Sequence, residues 1–128
     1  LDADRFETIV HPTSSVSRYA KLGPGAVVFP NSVVMSDVEV GKQVLILPCS
    51  VINHDVKIGD YTILTSGVNI SGGVTIGENC YIGAGSSLIQ QLKVGNEALV
   101  GMGSTVIRDV PDGGVVAGNP AKLLMARK

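Results

Sequence analysis

An aliphatic residue recurs at every sixth position of this chain without a break. The series runs Val10, Val16, Leu22, Val28, Val34, Val40, Ile46, Ile52, Ile58, Leu64, Ile70, Ile76, Ile82, Leu88, Val94, Val100 and Val106. Two places earlier the residue is almost always small, as at Ser14, Ala20, Ala26, Ser32, Ser50, Thr62, Cys80, Ser86, Ala98 and Ser104. Alternate residues of a strand share a face, so the small and the aliphatic residue of each unit point the same way. A six-residue unit is therefore one short strand and one turn, the repeat of a parallel β-helix.

Three such strands close a triangular coil, so residues eighteen apart stack at the inter-strand spacing of about 4.8 Å. About five to six coils result. One corner supports this period: Gly23, Gly41, Gly59, Gly77 and Gly95 each directly follow the aliphatic residue. A corner held by glycine is expected to need positive φ, which glycine adopts without a Cβ penalty. The core must be aliphatic, since aromatic residues make up 4% of the chain and Trp is absent.

The expected architecture is all-β, with a junction segment over residues 1–9, a β-helix over 10–110 and a capping segment over 111–128. The register ends near Arg108, and Leu123 to Lys128 are expected as a short helix covering the open core. A net charge of −1 argues against a nucleic-acid or anionic-membrane surface. No apolar run reaches the roughly 20 residues of a membrane span, and no leader pattern is present. Cys49 and Cys80 give neither a disulfide framework nor a metal-ligand spacing, so a reduced cytoplasm is the expected location.

Chemistry concentrates at His54. Its column reads Arg18, Ser36, His54, Gly72, Gln90, Arg108, and the next reads Tyr19, Asp37, Asp55, Gly73, Gln91, Asp109. His54 thus stands beside Asp55, and one coil onward Gly72 and Gly73 replace both side chains. Imidazole is a suitable general base at neutral pH, and a backbone N–H beside a side-chain-free spot suits an oxyanion. On the residues alone, a His beside an Asp on a turn also fits a solvated surface pair. His11, ahead of Pro12, reads as junctional. Cys49 shares no column with a histidine, so no base stands beside its thiol to make it a nucleophile.

The hexad pattern resembles the left-handed β-helix of hexapeptide-repeat acyltransferases, and the left hand comes from that resemblance. Asn53-His54-Asp55 through Ile58-Gly59-Asp60, followed by Ile70-Ser71-Gly72-Gly73-Val74, resembles the catalytic segment of one family in particular. That family contains the sialic-acid O-acetyltransferases and the UDP-4-amino-sugar N-acetyltransferases. The resemblance implies His54 as general base, Asp55 as the acid raising its basicity, and the Gly72 amide against the thioester carbonyl. It also implies acetyl-CoA as co-substrate, with contacts at Ile63, Gly72, Ala84, Gly85, Met102 and Gly103, and no metal. Lys122, Arg127 and Lys128 could meet phosphates, in a terminal segment resembling the one that folds near the coenzyme's nucleotide end.

A further implication is a homotrimer with sites between subunits, acting on an amino sugar or a sialic-acid hydroxyl. The run Pro12, Pro30, Pro48 gives way to Ser66, Ala84, Met102, and the adjacent run Thr13, Asn31, Cys49 gives way to Gly67, Gly85, Gly103. This flat strip fits close subunit packing or a groove for the pantetheine arm. Two other classes share the fold: a non-catalytic assembly subunit, and a β-helical zinc carbonic anhydrase. The latter needs three histidines per metal, and the chain has His11 and His54 only.

Overall fold

Each six-residue unit forms a two-residue strand, and strands eighteen residues apart pair in parallel. The computed structural model describes residues 5–126. The first face stacks Ile9–Val10, Val27–Val28, Leu45–Ile46, Ile63–Leu64, Tyr81–Ile82 and Leu99–Val100. The second stacks Ser15–Val16 through Thr105–Val106 in six strands, and the third Lys21–Leu22 through Lys93–Val94 in five. The result is a left-handed β-helix of about six turns. The described residues form no α-helix.

Inward aliphatic residues fill the prism: Ile46, Ile52, Leu64, Ile70 and Ile82 have no exposed surface. Each such side chain contributes about 1.5–3 kcal/mol of burial. The small inward residues have a second task, because amides turning a corner still need acceptors. Ser32 Oγ donates to Leu47 O (3.0 Å) and accepts from Ser50 N–H (3.2 Å). Ser50 Oγ repeats the pattern with Thr65 O (3.1 Å) and Val68 N–H (3.3 Å). At another corner Thr62 Oγ1 donates to Gly77 O (2.7 Å) and accepts from Cys80 N–H (3.1 Å).

The glycine corner corrects the sequence expectation. Positive φ falls instead two residues later in each unit, at every sixth residue from Gly25 to Gly103, with φ between 50° and 76°. Asn31, Asp37, Asp55 and Asn79 occupy that position, as residues whose short polar side chains tolerate it. Gly23, Gly41, Gly59, Gly77 and Gly95 are needed for close approach. A Cβ on Gly59 would lie 2.6 Å from Gly77 C and 2.8 Å from Glu78 N. Successive coils touch backbone to backbone there.

The carboxyl end also departs from expectation. Two residues drop out of the register after Val106: Val110 bridges to Val94, and Val116 pairs with Val100, sixteen residues on where the rest of the helix uses eighteen. Asp109 Oδ1 accepts from Lys93 N–H (2.9 Å), a side chain where the longer coils use a backbone carbonyl, and Asp112 Oδ1 accepts from Asn96 N–H (2.8 Å) across the shortened spacing. Val110 and Val116 are buried in the core. Gly114–Gly118 extends the first face, and Ala121–Ala126 folds back on it as an antiparallel strand with a bulge at Val115/Val116. The helix expected from Leu123 onward is therefore a strand through Ala126; Arg127 and Lys128 lie outside the described residues. Strand wins because the first face offers Gly114–Gly118 as a free edge to pair with.

Candidate active site

The corner carrying His54 is held on both sides. Asn53 N–H donates to Ile70 O (3.0 Å), Asp55 N–H to Ser36 O (3.1 Å), and His54 O accepts from Gly73 N–H (3.0 Å). Asn53 Nδ2 adds a bond to Ile70 O at 2.8 Å. The backbone bearing the imidazole is thus tied to the coils above and below.

His54 Nδ1 lies 2.8 Å from Asp55 Oδ2. A carboxylate only accepts, so Nδ1 is the donor of this bond and Nε2 is the ring nitrogen left clear of it. The ring leans over the next coil: a Cβ built on Gly72 would stand 2.7 Å from Nε2 and 2.8 Å from Cε1. Glycine at position 72 leaves the space in which the imidazole lies. From the opposite side, Cγ of Gln91 would stand 3.1 Å from a Cβ on Gly73. The two glycines form a shelf between His54 below and Gln91 above.

The Gly72 N–H donates to no acceptor among the described residues. At the same place in other units, the Lys42 and Glu78 amides each take a side-chain oxygen from one coil on, Asp60 Oδ1 and Asn96 Oδ1, both at 2.8 Å. That hexad position therefore presents a donor to an oxygen outside the coil. At Gly72 the place of that oxygen is open.

A recess of about 580 Å³ covers this shelf, lined by Asn53, His54, Asp55, Ser71, Gly72, Gly73, Gln90 and Gln91. Of the residues expected from sequence, His54, Asp55 and Gly72 come together here. The others do not join them within one chain. Ala84, Gly85, Met102 and Gly103 are exposed at the corner between the first and second faces, whereas His54 is at the corner between the second and third. One full face of strands separates the two. Gly85 and Gly103 have nothing within 4 Å of a built Cβ, so the strip is open as read, but it does not lead into the His54 recess. Ile63 is half-buried on the first face. Lys122 lines a second recess of about 390 Å³ with Arg108, Pro111, Pro120 and Leu123. His11 binds Thr13 Oγ1 through Nδ1 (2.9 Å), at a different corner from His54. Cys80 is buried, and burial pushes its thiol pKa up. Asn53, Ser71, Gln90 and Gln91 were not expected as site residues; the signal for Asn53 and Ser71 was their place directly before His54 and Gly72, and for Gln90 and Gln91 their place one coil beyond Gly72 and Gly73.

Residues 55–90 and 73–108 match the family model of the bacterial transferase hexapeptide, six repeats. With the coil geometry, this defines the chain as a hexapeptide-repeat β-helix protein. Several solved proteins are similar to it in structure. The acetyltransferase domain of PglB from Neisseria gonorrhoeae, in complex with acetyl coenzyme A, is 34% identical over 93% of this chain and 58% of that one, with a TM-score of 0.92. PerB from Caulobacter crescentus, in complex with CoA and GDP-perosamine, is 31% identical over 92% of this chain and 57% of its own (TM-score 0.91). WeeI from Acinetobacter baumannii is 31% identical over 92% and 55% (TM-score 0.79). The chain thus spans under three fifths of each of these proteins. Comparison with curated protein sequences gives no match.

Proposed function

We propose that this chain is the catalytic β-helix of an acetyl-CoA-dependent acetyltransferase whose acceptor is the amine of a nucleotide-linked amino sugar. The observation that carries the reading is the imidazole of His54, its Nδ1 bound to Asp55 and its Nε2 free above the side-chain-free Gly72. The acceptor amine attacks the thioester carbonyl, forming the C–N bond while Nε2 takes the amine proton. The Gly72 N–H receives the oxyanion of the tetrahedral intermediate. Collapse breaks the C–S bond, and the imidazolium returns the proton to the leaving thiolate, giving amide and free coenzyme A. Asp55 accepts the Nδ1 hydrogen bond and so holds the ring with Nε2 toward the shelf.

The comparisons support the same chemistry. PglB is described as an acetyltransferase with acetyl coenzyme A bound, and the Caulobacter protein as a perosamine N-acetyltransferase with CoA and GDP-perosamine bound. The latter was also studied as histidine-to-asparagine and histidine-to-alanine mutants. A sialic-acid hydroxyl is the alternative acceptor for the same base.

Assembly as a homotrimer is part of this proposal. The outward column of the first face is apolar throughout, from Ile9, Val27 and Leu45 to Ile63, Tyr81 and Leu99, and gives copies a surface to pack on. A neighbour would bring its own glycine strip, Gly67, Gly85 and Gly103, toward this chain's His54, which the single prism keeps apart. The coenzyme contacts at Ile63, Ala84, Gly85, Met102 and Gly103 would then serve the pantetheine arm, and Lys122 with Arg108 the phosphates. We place the reaction in the cytoplasm, where the exposed Cys49 thiol stays reduced.

His54→Ala tests the reading against UDP- and GDP-linked amino sugars, with free sialic acid as the hydroxyl acceptor. Turnover is expected to fall about 10³-fold, near the middle of the general-base range, with acetyl-CoA affinity retained. Turnover equal to that of the native chain would exclude His54 as the base.

A further inference from the structure

Six of the eight residues around the His54 recess belong to the coils of His54 and Gly72: the base, its acid, the two glycines of the shelf, and Asn53 and Ser71 beside them. Gln90 and Gln91 belong to the coil beyond. They follow Gly72 and Gly73 in the same two columns, so the backbone of Gln90 stands two coil rises, about 9–10 Å, from that of His54. Gly72 contributes no side chain between them. The Gln91 amide is fixed by Gly72 O at 2.9 Å, and its side chain bends back over Gly73. Neither carboxamide has a hydrogen-bond partner among the described residues, and both side chains line the recess.

Their chemistry is specific. A carboxamide offers one acceptor oxygen and two N–H donors, and two adjacent ones match neighbouring hydroxyls on a saccharide ring. They bring no charge toward His54, and no lysine or arginine lines this recess. The surroundings of the base are thus suited to the uncharged ring of an acceptor, while the cations Arg108 and Lys122 lie at the separate recess by the terminal hairpin. We infer that Gln90 and Gln91 are acceptor-binding residues, which grip the ring hydroxyls of the sugar from above while its amine faces Nε2 of His54 from below. This rests on the acetyltransferase reading and adds to it the groups that select the acceptor.

Gln91→Gly is the suitable probe, because glycine already occupies the equivalent positive-φ position at residues 67, 73, 85 and 103 and the backbone needs no change. Gln90→Ala and Gln91→Asn complete the set, the latter keeping a carboxamide on a shorter arm. Initial rates of coenzyme A release are measured while the amino-sugar nucleotide and acetyl-CoA are varied in turn. Acceptor binding to native and Gln91→Gly chains is measured separately by calorimetry. The expected result is an acceptor KM raised at least tenfold in Gln91→Gly, worth about 1.4 kcal/mol of lost binding. The acetyl-CoA KM should stay within twofold and kcat within threefold, and Gln91→Asn should fall between Gln91→Gly and the native chain. An unchanged acceptor KM, or a rise confined to acetyl-CoA, overturns the inference and leaves the acetyltransferase reading standing. A native chain that neither turns over nor binds any amino sugar overturns both.

Discussion

Replacing Gly72 with alanine separates the site from the scaffold. Its φ is not positive, so alanine meets no backbone strain. What the new methyl meets is the imidazole, 2.7 Å from Nε2 and 2.8 Å from Cε1, where ordinary contact begins at 3.4 Å. The ring must withdraw by about 0.7 Å or rotate away. The His54 side chain is 62% exposed, so it can move without disturbing the core. Stability should therefore change by less than about 1 kcal/mol, as for surface substitutions away from packed features. Catalysis is another matter, since a misplacement near 1 Å can cost about 10²-fold. Moving the ring also disturbs its 2.8 Å bond to Asp55. The expected outcome is a kcat reduced about 10²-fold, an acetyl-CoA KM within a few-fold, and a thermal midpoint within a few degrees of native. Steady-state kinetics and thermal denaturation on the same preparation read all three. A Gly72→Ala chain with native kcat would refute the placement of the base over Gly72, and one that loses activity only through unfolding would make Gly72 structural.

Three further expectations follow from the same geometry. Asp55→Asn keeps a residue that tolerates φ of 58° but weakens the hold on Nδ1, so kcat should drop roughly 10–100-fold, less than for His54→Ala. Gly59→Ala drives a methyl into the Gly77 and Glu78 backbone, which has no flexible end to yield; it should destabilise by about 3 kcal/mol or more in denaturant titration, and a native midpoint would contradict the stacked-coil contact. A thiol reagent on the folded chain should label Cys49 and spare Cys80, whose burial raises its pKa and whose Sγ donates to Gly95 O; mass spectrometry of early time points decides it.

Much of the fold was legible because burial itself repeats. Each inward position takes an aliphatic side chain regardless of its coil, so Ile52 and Ile70 announce their stacking from eighteen residues apart. The juxtaposition of His54, Asp55 and Gly72 was legible for the same reason, as the three are one column step apart. The glycine corner was misjudged because glycine serves both positive φ and close approach, and sequence does not distinguish the two uses. At the carboxyl end the period drops from eighteen to sixteen, and the frame that found Val106 lands on Asp112 in place of Val110. The corner at which the glycine strip lies was not legible: a column lists what lies along the prism axis, but not which corner faces which.

The terminal hairpin has a consequence for how this solid can grow. A parallel β-helix ends in unpaired backbone groups, a template onto which another chain could continue the same coils. Here the two-residue shortening and the bulge at Val115/Val116 turn the last strand of the first face, and Ala121–Ala126 runs against it. On this face the outermost strand runs antiparallel to the rest, out of step with an incoming parallel hexad. One of the three faces is thus closed by direction, which discourages continuation of the coils on that side.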